Sequence, residues 1–234
     1  LDGCIAQQAT RMNGCRGGAV YFARSASVEI EDVIEHDYSG DGLSFQMCRD
    51  MVIRRSSFDR NSGNGLHPGA GSTGALFESC AGNRNGGSGF FFCVRANHMT
   101  VRDCGFHDNR TAGVSIGTRD CHNLIERCCI TGNEGPGIVV RKMPRPTEVH
   151  SCRVHGCTLE GNARSEGAGE IDIRNAAHDI IVEATTIRGT GDKPGIALEN
   201  EVSDIYLEAN VIERCPTKAV GDGFCTTKPE FACG

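Results

Sequence analysis

Five glycines, Gly42, Gly65, Gly89, Gly113 and Gly137, stand 23, 24, 24 and 24 residues apart, and each opens a short apolar run. The runs are Leu43-Ser44-Phe45, Leu66-His67-Pro68, Phe90-Phe91-Phe92, Val114-Ser115-Ile116 and Ile138-Val139-Val140. A second column, Asn61, Asn85, Asn109, Asn133 and Asn162, steps by 24, 24, 24 and 29, and a third, Ser56, Cys80, Cys104, Cys128 and Cys157, steps identically. Self-similarity at a fixed period of this length requires a stacked, quasi-one-dimensional architecture, in which each coil buries its apolar face against its neighbours. The repeat constrains the fold far more tightly than the function.

Each coil reads as three short strands separated by turns. In the first, two-residue alternation points Leu43 and Phe45, Phe90 and Phe92, Val114 and Ile116, and Ile138 and Val140 inward, and the middle residue outward. The second strand is read at Met51-Val52-Ile53, Ala75-Leu76-Phe77, Met99-Thr100-Val101, Asn123-Leu124-Ile125 and Ile205-Tyr206-Leu207. The third is read at Cys104-Gly105-Phe106 and Cys128-Cys129-Ile130, ending at the column asparagine. Side-chain amides in successive turns can bond one another, so the asparagines read as a structural ladder.

The pattern extends to Ala19-Val20-Tyr21, Ile171-Asp172-Ile173 and Ile196-Ala197-Leu198, which makes about nine coils in one all-β domain over 1–234. At about 4.8 Å per coil this is a rod of roughly 40 Å, with residues 216–234 as a C-terminal tail or cap. Gly137 to Gly195 leaves about ten residues beyond two coils, in Arg141-Lys142-Met143-Pro144-Arg145-Pro146 and in 163–169. Insertions in repeat proteins form loops, often beside a binding face. Leu1-Asp2-Gly3-Cys4 resembles mid-coil sequence and has no export signal; the expectation is a piece of a longer chain whose upstream coils are missing.

A net charge of −6 argues against nucleic acid, which needs a basic face. No apolar run reaches 18 residues, so no membrane span is expected. Of the 14 cysteines, Cys80, Cys104, Cys128 and Cys157 share one column and read as a buried thiol ladder. Cys215, Cys225 and Cys233 lie off that column and are the better place for a disulfide. His150-Ser151-Cys152 and His155-Gly156-Cys157 offer zinc-type ligands, but Cys157 belongs to the inward column, so no metal site is assigned. No cofactor is expected, and a calcium ion on scattered carboxylates is the one possibility left open, without a calcium loop to support it.

The glycine-led apolar starts, the asparagine column and the 24-residue coil resemble the right-handed parallel β-helix proteins of the pectate-lyase-like superfold over roughly residues 15–220. The resemblance implies a single-stranded right-handed β-helix solenoid, an extracellular or cell-envelope origin, and a carbohydrate lying along the exposed face of the first strand. It implies no catalytic set, because the superfold hosts many functions. The clustered aspartates and Gly-His-Gly of galacturonan hydrolases are absent. Gly65-Leu66-His67-Pro68-Gly69 differs in order and acid from the Asp-Pro-His of alginate epimerases.

Projecting the repeat places Ser44, His67, Phe91, Ser115, Val139, Asp172 and Ala197 outward, followed two residues on by Gln46, Gly69, Cys93, Gly117, Arg141, Arg174 and Glu199. The next turn adds Arg95 and Arg119, with His98 and His122. His67, with Asp41 nearby, is the candidate general base or acid, against the plainer reading of a surface histidine packed beside Pro68. Arg95 and Arg119 are candidate holders of a uronate carboxylate, against pairing with Asp103 or Asp120. Ser44, Gln46, Phe91, Ser115, Asp120, His122 and Arg141 complete a candidate sugar-binding face.

Asp41 and Asp120 begin three coils apart, too far for a hydrolytic pair of carboxylates. Lyase or epimerase chemistry therefore comes before hydrolysis. A non-catalytic carbohydrate-binding or surface-structural module is the rival reading, and a tailspike-like assembly part ranks behind both. An enzyme should hold His67, an arginine and an acid within one sugar's reach, in a groove walled by the 141–148 loop; a binding module should present a flatter strip.

Overall fold

The computed structural model describes residues 17–233, and every regular element among them is a short β-strand. The first sheet has nine parallel strands: Val20–Ala23, Leu43–Gln46, Leu66–Pro68, Phe90–Phe91, Val114–Ile116, Ile138–Val140, Ile171–Ile173, Ile196–Leu198 and Ala219–Val220. A second sheet of nine strands runs from Glu29–Glu31 to Phe224–Cys225. The third face is a pair, Ile34–His36 with Ser57–Asp59, and a five-stranded sheet from Gly105–His107 to Val211–Glu213. Single bridges from Ser57 to Ala81 and from Ala81 to Gly105 join the two pieces. Spatial neighbours in the long sheets are one coil apart in sequence, which is a parallel solenoid of about nine coils. No described helix is long and apolar enough to cross a membrane.

The first-sheet register is the one read from the glycine column. Leu43 pairs with Leu66, Leu66 with Phe90, Phe90 with Val114, Val114 with Ile138, and Ile138 with Ile171. The middle residues align as Ser44 with His67, Phe91 with Ser115, Ser115 with Val139, and Val139 with Asp172. In the second sheet the ladder pairing starts one residue later than the reading from hydrophobicity, at Val52, Leu76, Thr100 and Leu124. Met51 and Met99 are nonetheless fully buried, at the corner that precedes the strand.

The corners are built from residues in the left-handed region, repeated coil by coil. Asp32, Arg55, Ser79, Asp103, Arg127 and Ala184 mark one corner, with φ between 46° and 56°, and Gly156 joins them at 61°. An L-residue there costs roughly 1–2 kcal/mol, and the interior offsets this. Phe45, Phe58, Phe77, Phe90, Phe92 and Phe106 are all fully buried, and burial of each such ring contributes about 1.5–3 kcal/mol. Phe90 packs its centroid 4.7 Å from those of both Phe77 and Phe92.

Two polar columns line the turns. Asn85, Asn109 and Asn133 each donate from Nδ2 to the Oδ1 of the next asparagine, at 3.1, 2.9 and 2.7 Å. Glu35 accepts from Asn61 at one end, and Glu170 accepts from Asn162 at the other. In the second column Ser56 Oγ, the Sγ of Cys80, Cys104, Cys128 and Cys157, and Thr185 Oγ1 each donate to the carbonyl two residues earlier. No disulfide joins any two of the described cysteines. The C-terminal set therefore holds no disulfide: Cys215, Cys225 and Cys233 donate instead to the carbonyls of Glu213, Thr227 and Ser151. The tail segment also differs from a plain cap, since Ala219 and Phe224 extend two sheets by pairing with Ile196 and Ile205. The mid-coil reading of residues 1–4 lies outside the described residues.

Candidate functional site

On the outer face of the first sheet lies a groove of about 330 Å³, lined among others by Asn64, Phe91, Ser115, Val139, Arg141 and Arg174. Pro136 and Glu166 also border it, so the 163–169 insertion supplies a wall. The expected wall, the 141–148 loop, contributes only Arg141. Its Pro146 and Glu148 face a different hollow.

Beside the groove, His67 Nδ1 lies 2.7 Å from Asp41 Oδ2, with side-chain exposures of only 4 % and 3 %. Asp41 Oδ1 accepts from both the backbone N and the Nδ2 of Asn64, at 2.7 and 3.1 Å. A carboxylate can only accept, so Nδ1 carries the hydrogen and Nε2 is the basic nitrogen. The Phe91 ring meets the imidazole edge-on at 5.1 Å. Ser44, the register partner of His67, is fully buried.

Arg141 comes from the basic insertion but folds back over two coils. Its Nη1 donates to Ser115 Oγ at 2.7 Å, its Nη2 donates to the Phe92 carbonyl at 2.9 Å, and Cζ sits 4.1 Å above the Phe91 ring. Glycine at 117 makes this path possible, because a Cβ there would lie 2.0 Å from Arg141 Nη2. Gly69 does the same for Gln46, whose Nε2 would meet a Cβ at 2.5 Å.

Asp120 Oδ2 lies 3.8 Å from Arg141 Nη2. Its carboxylate accepts from the backbone N of Ala96 and of Gly117, at 2.9 and 2.8 Å. Burial raises its pKa to about 6 against the opposing pull of those two N–H groups, Arg141 and His67. Burial likewise lowers the pKa of Arg141, and Asp120 opposes that shift. Further along the face, Asp172 Oδ2 accepts from Arg174 at 2.7 Å and from Ala168 N at 3.0 Å, tying the 163–169 insertion to the sheet.

The structure thus brings Asp41, Ser44, His67, Phe91, Ser115, Asp120 and Arg141 into one connected cluster, with Gln46 at its edge. It does not bring Arg95, Arg119 or His122 there. Those three line a second hollow with Asn97, Cys121, Pro146, Glu148, His150 and His178, which shares no lining residue with the groove. The reason is the corner: Arg95 and Arg119 have φ of 63° and 55°, and the chain turns off the first sheet there. Neither suggested carboxylate partner reaches them, since Asp103 holds Arg127 and Asp120 faces Arg141.

Three groups escaped the sequence reading as parts of the site. Asn64 shows only as the residue before a column glycine, and Glu166 and the Asp172–Arg174 pair show only through the insertion and the outward column. Among the described residues no three His, Cys, Asp or Glu side chains converge as a metal-holding group.

Comparison with known proteins adds a family and a set of folds. The model for a right-handed β-helix region matches residues 8–152. No curated protein matches the chain by sequence. Among solved structures, the A-module of the Azotobacter vinelandii mannuronan C-5 epimerase AlgE4 superposes with a TM-score of 0.69 at 17 % identity, over 86 % of this chain and 64 % of that one. A mutant of the periplasmic alginate epimerase AlgG gives 0.66 at 11 % identity, over 82 % and 47 %. The chain spans less than two thirds of either structure, and at these identities the likeness is one of fold.

Proposed function

Because this chain belongs to the right-handed β-helix family, we propose that it processes an acidic polysaccharide laid along the outer face of its first sheet, by proton transfer at C5 of a uronate unit. The observation that carries this reading is the cluster itself: an imidazole oriented by a buried carboxylate, next to a guanidinium that a second buried carboxyl group and an aromatic ring hold in place. The fold shared with two epimerases supports it, as does a groove of about 330 Å³, within the range of small-ligand sites.

The chemistry follows from the roles of the groups. The C5 proton of a uronate becomes acidic when the charge on its own carboxylate is neutralised, because the carbanion is then stabilised as an enediolate. Arg141 supplies that positive charge from a desolvated position. Asp120, fully buried behind the Arg141 guanidinium, helps hold it in place. His67 accepts the proton at Nε2, while Asp41 stabilises the resulting imidazolium. Return of a proton from water to the opposite face of C5 gives the epimer, and the imidazolium gives up its own proton to solvent. Departure of the C4 oxygen substituent, protonated by water as it leaves, gives an unsaturated uronate instead. Either outcome uses the same first step.

A second reading, a non-catalytic binding module, is favoured by one observation: His67 has only 4 % of its side chain exposed. The test is a polyuronate incubated with wild type, His67→Gln and Arg141→Gln, following the C5 configuration of its units by ¹H NMR together with absorbance near 235 nm. Turnover that falls at least a hundredfold in His67→Gln supports the enzyme. Equal glycan binding by wild type and His67→Gln without turnover supports the module.

A further inference from the structure

Away from the groove, at the corner between the first and second sheets, four imidazoles stack on successive coils. His98 lies on His122 at 4.9 Å with the rings 2° from parallel, His122 meets His150 edge-on at 5.5 Å, and His150 lies on His178 at 5.2 Å. Three of them, His122, His150 and His178, border the hollow of about 450 Å³ that Arg95 and Arg119 also line. Arg95 N donates to the Thr118 carbonyl, so the two arginines sit on adjacent coils, with backbones about 4.8 Å apart.

Elsewhere on this surface, guanidiniums stacked along the coils meet carboxylates: Arg54 lies between Glu31 and Glu78, Arg127 is held by Asp103, and Arg153 by Glu183. Among the described residues neither Arg95 nor Arg119 has such a partner. The one carboxylate in the hollow, Glu148, has Oε1 3.9 Å from His178 Nε2, and its buried Oε2 accepts no hydrogen bond from the described residues. Like charges on adjacent coils repel unless an anion lies between them, and two forked guanidiniums suit a carboxylate or sulfate. The imidazoles of His122, His150 and His178 offer donors for the hydroxyls of such a ligand.

We propose that this hollow is a second binding site, for an anionic sugar unit, separate from the groove. Its taking a unit of the same acidic glycan rests on the function proposed above; the anionic class of its ligand does not. Such a site would anchor a polymer beyond the groove, adding avidity without new contacts at the reacting unit.

The eight histidines make the two sites separately visible. Uniformly ¹⁵N-labelled protein is titrated with trimannuronate, with a neutral trisaccharide and with sodium sulfate, following imidazole ¹H–¹⁵N signals. The expected result is a saturable shift of His122, His150 and His178 with trimannuronate and none with the neutral sugar, while His36 and His107 serve as references. His67 reports the groove independently. Arg95→Gln with Arg119→Gln should weaken the hollow signals at least tenfold and leave the His67 titration unchanged. Movement of His67 alone, hollow shifts unaltered in the double variant, or equal shifts and affinity with sulfate would overturn the proposal. Hollow shifts with a silent His67 would sustain this site while removing the groove reading. The wild-type titration decides the matter even if the double variant fails to fold.

Discussion

Asp41 shows how little of a residue's role lies in the residue. One of its oxygens holds Asn64 and the other holds His67, so a single buried carboxylate both closes a turn and sets an imidazole. Arg141 is similarly committed, and lysine would reproduce neither its fork nor its stacking. Arg141→Lys should leave either Ser115 Oγ or the Phe92 carbonyl without its donor. The expected cost is about 1–3 kcal/mol in urea denaturation, together with a several-fold loss of glycan affinity; an unchanged midpoint and affinity would contradict this. Glu35 gives a pH prediction. Burial raises its pKa to about 7, while the hydrogen bond from Asn61 pulls the other way. A raised folded-state pKa means that the stability tied to the neutral acid is fully present below about pH 4.5 and is lost as pH rises through about 7. Glu35→Gln should therefore be more stable than wild type at pH 8, by about 1–3 kcal/mol, and should gain little at pH 4. Melts at the two pH values check it.

At the level of the coil, stability is a contest between strained corners and stacked interiors. Ala184 is exposed and left-handed, with φ of 49°. Ala184→Gly should raise stability by about 0.5–1 kcal/mol, read from the denaturation midpoint; a loss would show that the corner is not strained. The corners also explain what sequence could and could not reveal. Along a strand, alternation and a parallel stack are enough, so the column Ser44, His67, Phe91, Ser115, Val139, Asp172 was legible from spacing alone. Past Gln46, Cys93 and Gly117 the chain turns at left-handed residues, and periodicity carries no information about which way the next side chains face. Periodicity therefore groups Arg95, Arg119 and His122 with His67, although the corner carries them to another hollow. The reach of Arg141 back to Ser115, 26 residues earlier, depends on the missing side chain at Gly117. Glycine in a repeat announces a turn more readily than it announces room for a neighbour.

Over the whole molecule, a solenoid places chemistry by stacking. The groove takes residues from Asn64 to Arg174, and no two consecutive coils are enough to build it. The first sheet provides its floor, and the 163–169 insertion provides a wall that the regular repeat lacks. That division makes the central claim testable at one atom. Polymannuronate and polygalacturonate are incubated with the protein in D₂O, and ¹H NMR follows the H5 signal of the uronate units. The account predicts loss of H5 intensity by exchange in the wild type, with either inverted C5 configuration or unsaturated ends, and at least a hundredfold slower exchange in His67→Gln. Full retention of H5 on both polymers, under conditions where the protein binds them, would contradict proton abstraction and leave the first-sheet face a binding surface.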